Sequence, residues 1–269
     1  VFHLENNRIG LKQYFEKEES ILEILKNLNG YGPLKVSDED IKAGISKSES
    51  DQGFFLTEEQ RTVVENSIKS NVVVITGAAG TGKTSISRAI LNVYKQANCS
   101  ISCCALSAMA AQRITEATGF PASTIHRLLG YSPKGFSYNH VTPLLSDVVL
   151  IDECSMINVG IFHAIVDAIQ EGKKVIMCGD NRQLPPIGYG NVFGDLLEFN
   201  KEFSVYRLTK VLRQAEKSGI LMDANKIRRG VYPIRQPELR IVNGELQDMI
   251  YMFRDSREAL QNIAIKTYM

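Results

Sequence analysis

The glycine-rich octet GAAGTGKT carries the clearest chemistry in this sequence, because it fits the spacing G-x-x-x-x-G-K-[ST] of a phosphate-binding loop. Gly77, Gly80 and Gly82 let the backbone take positive φ and approach a ligand closely. Lys83 can reach the β- and γ-phosphates of a nucleotide, and the Thr84 hydroxyl can ligate Mg²⁺. The predicted nucleotide contacts are those of Gly77, Ala78, Ala79, Gly80, Thr81, Gly82, Lys83, Thr84 and Ser85.

The flanks of the octet favour this interpretation over a glycine-rich turn that binds nothing. Residues 72–76 have strong strand preference, and apolar residues recur at helical spacing after the loop. A loop between a buried strand and a helix directs its N–H groups and the positive end of the helix dipole at an anion.

Two acids follow the strand predicted over residues 147–151, where open α/β sheets place their ligands. Asp152 is suited to hold Mg²⁺, and Glu153 is suited to polarise an attacking water. A surface turn that happens to carry acids is the alternative. Together with the loop upstream, the pair predicts an NTP hydrolase.

Two more polar residues follow the strands predicted over residues 174–178 and 204–208. Gln183, fixed by two prolines, is suited to sense a γ-phosphate. Arg213 could bring a planar charge to the phosphates, although a surface salt bridge explains it equally well.

Gln60 lies three residues after Thr57, the spacing of a capping box at the start of a helix that we expect to run to about residue 70. Capping alone would account for this glutamine.

We also predict a helical turn at residues 123–129 and an exposed hairpin over residues 131–143. His126 in the turn could touch nucleic acid or serve only structure, and the hairpin aromatics Tyr131, Phe136 and Tyr138 could meet bases or pack on the domain.

The 269 residues contain no apolar run near the ~20 needed to cross a bilayer, and the N-terminus has no signal-peptide pattern. We therefore expect a cytoplasmic protein that contacts no membrane. The five cysteines show no zinc spacing, which predicts reduced, buried thiols. A net charge of +1 neither requires nor excludes nucleic acid.

Strands and helices alternate over residues 72–208, which predicts an α/β fold with a parallel sheet, most economically a RecA-like P-loop NTPase domain. Before it, residues 11–28 have the period of an amphipathic helix. Residues 41–53 are polar and rich in Ser and Lys, which is typical of a connector.

Four segments in order, GAAGTGKT, LIDECSM, GDNRQLPPI and LTKVLRQ, resemble motifs I to IV of superfamily 1 DNA helicases. FFLTEEQ resembles that family's Gln motif for adenine, which strengthens the adenine reading of Gln60. ALSAMAAQRITEATG with STIHRLLGY is similar to the RecD-like group within the superfamily. The resemblance covers about residues 54–233.

The resemblance implies ATP and Mg²⁺ as cofactors and single-stranded DNA as partner. Lys83, Gln183 and Arg213 would act on the phosphates, Thr84 and Asp152 on the metal, and Glu153 as catalytic base. The implied DNA contacts are Ser107, Ala108, Met109, His126, Tyr131 and Phe136. The hairpin would serve as a separation pin, and the motor would move 5′ to 3′.

The implied organisation has a helical segment and connector over residues 1–53, a first RecA-like motor domain over 54–233 with its hairpin at about 131–142, and the beginning of a second RecA-like domain over 234–269. No segment after residue 248 resembles motifs V and VI, which carry an arginine that reaches the ATP. We therefore expect a truncated helicase, weak in ATP hydrolysis and unable to unwind DNA alone. The alternatives are an ATP-regulated, protein-binding subunit of a DNA repair complex, which relies on helix 11–28, and a P-loop kinase or GTPase.

Overall fold

A computed structural model describes residues 2–4, 8–198, 201–210, 217–234 and 240–268. These residues divide into two compact units, one within Val1–Ala78 and Gly82–Thr209, the other within Ala79–Thr81 and Lys210–Met269. The elements of the first unit, in chain order, are β1 (Phe2–Leu4), β2 (Arg8–Gly10), α1 (Lys12–Gly30), α2 (Asp38–Gln52), α3 (Glu58–Ser67), β3 (Val72–Gly77), α4 (Lys83–Gln96), β4 (Ile101–Ala105), α5 (Ala108–Thr118), β5 (Ala122–Thr124), α6 (Ile125–Leu128), β6 (Tyr131–Ser132), β7 (Gly135–Phe136), β8 (Val148–Asp152), a 3₁₀ turn (Cys154–Met156), α7 (Val159–Asp167), β9 (Lys174–Gly179), α8 (Val192–Glu198) and β10 (Ser204–Leu208).

The centre of this unit is a six-stranded sheet in the order β10-β3-β9-β8-β4-β5, and every neighbouring pair is parallel. The predicted α/β class and parallel sheet are therefore confirmed. Side chains of β3 alternate between two apolar cores, with Val72 and Val74 in one and Val73 and Ile75 in the other. Helices cover both faces, since the first core includes residues of α1, α7 and α8 and the second residues of α2, α3, α4 and α5.

The interpretation of residues 41–53 as a connector was wrong, because helix α2 spans Asp38–Gln52. Ser37 and Asp40 form a reciprocal capping box at its start, and Gly53 ends it at φ 75°. The helix packs tightly on α4, where a Cβ on Gly44 would lie 2.5 Å from the Cα of Val93. Its polar composition conceals a narrow buried stripe that includes Ile45.

The other predicted elements of this unit are confirmed with small shifts at their ends. The exception is the hairpin predicted over residues 131–143, whose antiparallel strands β6 and β7 end already at Phe136. Thr57 and Gln60 form the expected capping box of α3, although the helix ends at Ser67. The sequence reading missed the β1–β2 hairpin, the three-residue strand β5 and helix α8.

The second unit contains α9 (Gly219–Arg228), β11 (Arg240–Asn243), β12 (Met249–Met252) and α10 (Arg257–Tyr268). The two strands pair antiparallel, and β11 was not predicted. Asp223, 2% exposed, accepts hydrogen bonds from the side chains of Lys226, Asn243 and Tyr251 and so joins α9 to both strands.

In the described part of the chain, no helix has the length and apolar character to cross a membrane. The five cysteines are free thiols there, as expected, with Cys99 half-buried and the other four buried.

Candidate nucleotide site

The glycine-rich loop leaves the carboxyl end of β3 and enters α4, as the sequence predicts. Gly80 (φ 80°) and Gly82 (φ 87°) occupy the left-handed region, so the octet needs glycine at these positions. Gly77 has no positive φ, because it still belongs to β3, and the prediction of a left-handed backbone there was wrong.

The start of α4 has the properties of an anion site. Gly82 caps the helix without a side-chain hydrogen bond, so no side chain competes for the first N–H groups. The Nζ atom of Lys83 donates to the carbonyl oxygens of Gly77 (2.6 Å) and Ala78 (3.3 Å). The ammonium group is therefore held against the first residues of the loop, within reach of a phosphate bound there.

Asp152 ends β8, and Glu153 follows it in a left-handed conformation at φ 53° and ψ 39°. This conformation is uncommon for a residue with a side chain and typical of strained functional positions. The N–H of Glu153 donates to Oδ1 of Asp152 at 2.9 Å. The carboxylate of Asp152 is thus fixed against the backbone of Glu153 at the carboxyl end of β8.

Burial raises the pKa of both carboxyl groups. For Asp152 the hydrogen bond from Glu153 and the charge of Lys83 oppose this effect. For Glu153 the neighbouring charges of Asp152 and Asp180 add to it, while Lys83 and Arg113 oppose it. The positive charge of Lys83 therefore acts on both carboxyl groups of the acid pair.

Asp180 and Arg113 were missed as site residues by the sequence reading. Arg113 lies on α5, far from the loop along the chain, and only the fold gives it an influence on Glu153. The signal for Asp180 was its place directly after β9, the same kind of position that drew attention to Asp152.

The segment after β9 folds into a turn around Asp180, which is 1% exposed. Its Oδ1 accepts from the N–H of Arg182 at 3.1 Å, and its carbonyl oxygen accepts from the N–H of Gln183 at 3.0 Å. The side chain of Gln183 is half-buried. This turn fixes the backbone of Gln183 beside the carboxyl end of the sheet.

A polar cavity of about 230 Å³ lies at the carboxyl ends of β3, β9 and β10. Its walls are the first loop residues Gly77 and Ala78, the turn at Asp180, and the end of β10 at Arg207. The strand register explains why these three segments meet. Thr76 on β3 is paired with Gly179 on β9 on one side and with Arg207 on β10 on the other. Arg207 was not among the predicted site residues.

Gln60 fulfils its capping role and retains one unused donor. Its Oε1 atom accepts from the N–H of Thr57 at 3.0 Å, while its buried Nε2 atom has no hydrogen-bond partner among the described residues. Capping and adenine contact are therefore compatible, because they use different atoms of the same amide. Arg213 lies outside the described residues.

The predicted DNA contacts form two groups. Ser107 caps α5 by accepting from the N–H of Ala110, and Ala108 and Met109 are exposed in the first turn, Met109 at 68%. His126, Tyr131 and Phe136 form an aromatic cluster with ring centroids 5.2–5.8 Å apart. Tyr131 is 60% exposed, so the cluster presents one open ring.

The residues present can hold a magnesium nucleotide. The uncapped start of α4 and Lys83 suit phosphate oxygens, and the exposed Thr84 hydroxyl and Asp152 are the hard oxygen donors that Mg²⁺ takes. The described residues contain no cluster of three or more His, Cys, Asp or Glu side chains that could hold a metal. Phosphate oxygens and water would complete the shell, as is usual for Mg²⁺.

The parallel sheet, the loop and the acid pair at its carboxyl edge define a P-loop NTPase domain. The model of a family described as an AAA domain matches residues 55–240. The chain is 33% identical over 226 residues to the ATP-dependent RecD2 DNA helicase of Deinococcus radiodurans, which covers 84% of this chain and 31% of that protein. It is 31% identical over 212 residues to the RecBCD enzyme subunit RecD of Haemophilus influenzae, which covers 69% of this chain and 33% of that protein.

Among solved structures, the Pif1 helicase from Candida albicans shares the fold with a TM-score of 0.50 and 20% identity, over 67% of this chain and 45% of that one. The chain belongs to the AAA-domain family, and over most of its length it is similar to RecD-like superfamily 1 helicases. It spans about a third of the length of the curated relatives it matches.

Proposed function

We propose that this chain is the ATP-binding motor domain of a RecD-like 5′-to-3′ DNA helicase, the first of two RecA-like domains. The observation that carries the proposal is the meeting of the phosphate loop and the Asp152–Glu153 pair at one edge of the parallel sheet. The relatives named RecD2 helicase and RecD support the DNA-motor reading.

In this proposal, Lys83 exchanges its two carbonyl partners for phosphate oxygens when ATP enters. Thr84 and Asp152 would hold Mg²⁺, which neutralises charge on the phosphates when it is bound. Gln60 would offer its unused Nε2 donor to the adenine.

Glu153 would orient and polarise the attacking water, and its raised pKa makes it a better proton acceptor than an ordinary carboxylate. Gln183 and Arg213 would contact the γ-phosphate. Because the turn at Asp180 fixes the backbone of Gln183, a change at the phosphate can be passed to the segment that follows β9.

Single-stranded DNA would pass the first turn of α5 and the aromatic cluster, with Tyr131 offering a face on which a base stacks. We expect the protein to act in the cytoplasm, with no membrane contact. Other subunits of a repair complex are proposed partners.

The experiment that tests the proposal compares wild type with Glu153→Gln in ATP binding and in ATP turnover. We expect equal affinity for Mg-ATP and a loss of turnover of about a hundredfold or more, because the amide is isosteric but accepts no proton. We also expect the 269 residues alone to turn over slowly even with DNA, since they contain no segment like motifs V and VI. Turnover that is unchanged in Glu153→Gln would refute the assigned role.

A second candidate function, an ATP-regulated subunit that binds a protein partner, is favoured by a groove beside α1.

A further inference from the structure

A groove of about 230 Å³ lies between α1 and α8, on the face of the sheet opposite α4. Its floor is apolar and is made by Ile21 and Leu22 of α1 with Val192 and Leu196 of α8. Ile21 is 1% exposed, so the floor is the outer surface of the first apolar core, the one that contains Val72 and Val74. This is the space that an apolar side chain would fill.

The rim of the groove is acidic, since it consists of Glu18, Glu19 and Asp195. No Lys, Arg or His in the described part of the chain lies within ion-pair distance of these three carboxylates. Burial and the charge of Asp195 raise the pKa of Glu18, and burial and Glu198 raise that of Asp195. Asp195 on α8 therefore repels Glu18 on α1, and an incoming cation would relieve this repulsion.

We propose that this α1–α8 groove docks a helical segment of a partner protein in which Lys or Arg residues flank leucine-like residues. Apolar side chains would enter the floor, and the cationic heads would reach the rim with their aliphatic stems on the apolar surface. Charge complementarity selects this occupant, because an acidic rim repels the phosphates of nucleic acid and of anionic lipid.

The groove is connected to the candidate nucleotide site through Phe193, which is 1% exposed and lies on α8 next to Val192. A Cβ at Gly179 would lie 2.8 Å from Cε1 of Phe193 and 3.2 Å from the N atom of Ser155. Gly179 precedes Asp180, and Ser155 lies two residues after Glu153. A bound segment that shifts α8 would therefore also shift the residues next to Asp180 and Glu153. This coupling rests on the proposed function.

The test uses a synthetic helical peptide with a leucine face flanked by lysines, and the same peptide with glutamate in place of lysine. We expect the wild-type chain to bind only the lysine peptide, and zero-length carbodiimide cross-linking to join it to Glu18, Glu19 or Asp195. The double variant Glu18→Lys/Asp195→Lys should bind at least about tenfold more weakly. Glu23→Lys, the same charge change on α1 outside the groove, should bind as wild type does.

Thermal unfolding monitors whether each variant folds. If the double variant does not fold, Glu19→Lys, at an exposed position on the rim, replaces it in the binding test. Equal binding by the rim variants and Glu23→Lys would overturn the proposal, as would preference for the glutamate peptide. Self-association that the rim variants abolish, without peptide binding, would also overturn it by assigning the groove to a second copy of the chain. Peptide binding without any Mg-ATP binding would support the proposed docking groove and refute the proposed function. Mg-ATP binding without peptide binding would support the proposed function and refute the docking groove.

Discussion

The ring of Phe193 packs directly on Gly179, so closely that a Cβ at position 179 would lie 2.8 Å from Cε1 and 2.9 Å from Cζ. Gly179 does not have a positive φ, so the glycine is required by the approach of the ring and not by the backbone. The contact fixes α8 against the end of β9, one residue before the buried Asp180. The position of Asp180 at the end of β9 therefore depends on Phe193, which lies on α8, a helix that was not predicted from the sequence.

Replacing Gly179 by alanine should lower the free energy of unfolding by about 1–3 kcal/mol, because the core around Phe193 has no room for the methyl group. Adding Phe193→Leu should recover part of that loss, since the smaller side chain vacates the space. Urea denaturation of both single variants and the double variant measures the coupling. Strictly additive losses would show that the two residues do not compete for space.

Gly44→Ala tests the packing of α2 on α4. The new Cβ would lie 2.5 Å from the Cα of Val93, and backbone cannot move aside as a side chain can. We expect a loss of about 1–3 kcal/mol in unfolding free energy, despite the better helix propensity of alanine. Gly30→Ala, at the end of α1 with nothing within 4 Å of its Cβ, is the matched control and should be neutral or stabilising. A stabilised Gly44→Ala would mean that residues 38–52 do not pack on α4.

Lys174 should make stability depend on pH. Its fully buried ammonium donates to the carbonyl oxygens of Ser67 and Ser70 and lies 5.3 Å from the ring centroid of Tyr94. Burial lowers the pKa of Lys174 from 10.5 to about 7. Between these two values the unfolded chain binds more protons than the folded one, so the free energy of unfolding should rise with pH, by at most about 1.4 kcal/mol per pH unit.

Chemical denaturation across that pH window measures this dependence. Lys174→Met should have a flatter profile than wild type, because the group that titrates differently in the two states is gone. It should also be less stable at the upper end of the window, where the two carbonyl oxygens lose their donor. Lys69→Met, which removes an exposed lysine between Ser67 and Ser70, should keep the wild-type slope. Parallel profiles for wild type and Lys174→Met would contradict the assignment.

Tyr131→Ala should weaken binding of an oligothymidylate strand by about 1–3 kcal/mol, the cost of losing one stacking platform. Fluorescence anisotropy of a labelled strand at fixed salt gives the affinity. Tyr31→Ala, which removes a similarly exposed tyrosine far from the aromatic cluster in sequence, should leave the affinity unchanged. An equal effect of both substitutions would remove the cluster from the proposed DNA path.

The sequence predicted the sheet and much of the candidate site because the relevant signals are local. The octet around Lys83 is one contiguous segment, the two acids are adjacent at the end of β8, and buried parallel strands are apolar runs. Helix α2 was missed because its polar surface outweighs the short stripe around Ile45. The influence of Arg113 on Glu153 and the contact of Phe193 with Gly179 could not be predicted, since each joins segments that only the fold brings together.

Equilibrium titration of a fluorescent ATP analogue with Mg²⁺ into wild type and Lys83→Ala measures whether the loop after β3 holds ATP. We predict saturable one-to-one binding by wild type, competed by ATP, and at least about tenfold weaker binding by Lys83→Ala, whose far-ultraviolet circular dichroism should be unchanged. Equal affinity of the two proteins, or no binding by a folded wild-type chain, would show that this loop does not bind ATP.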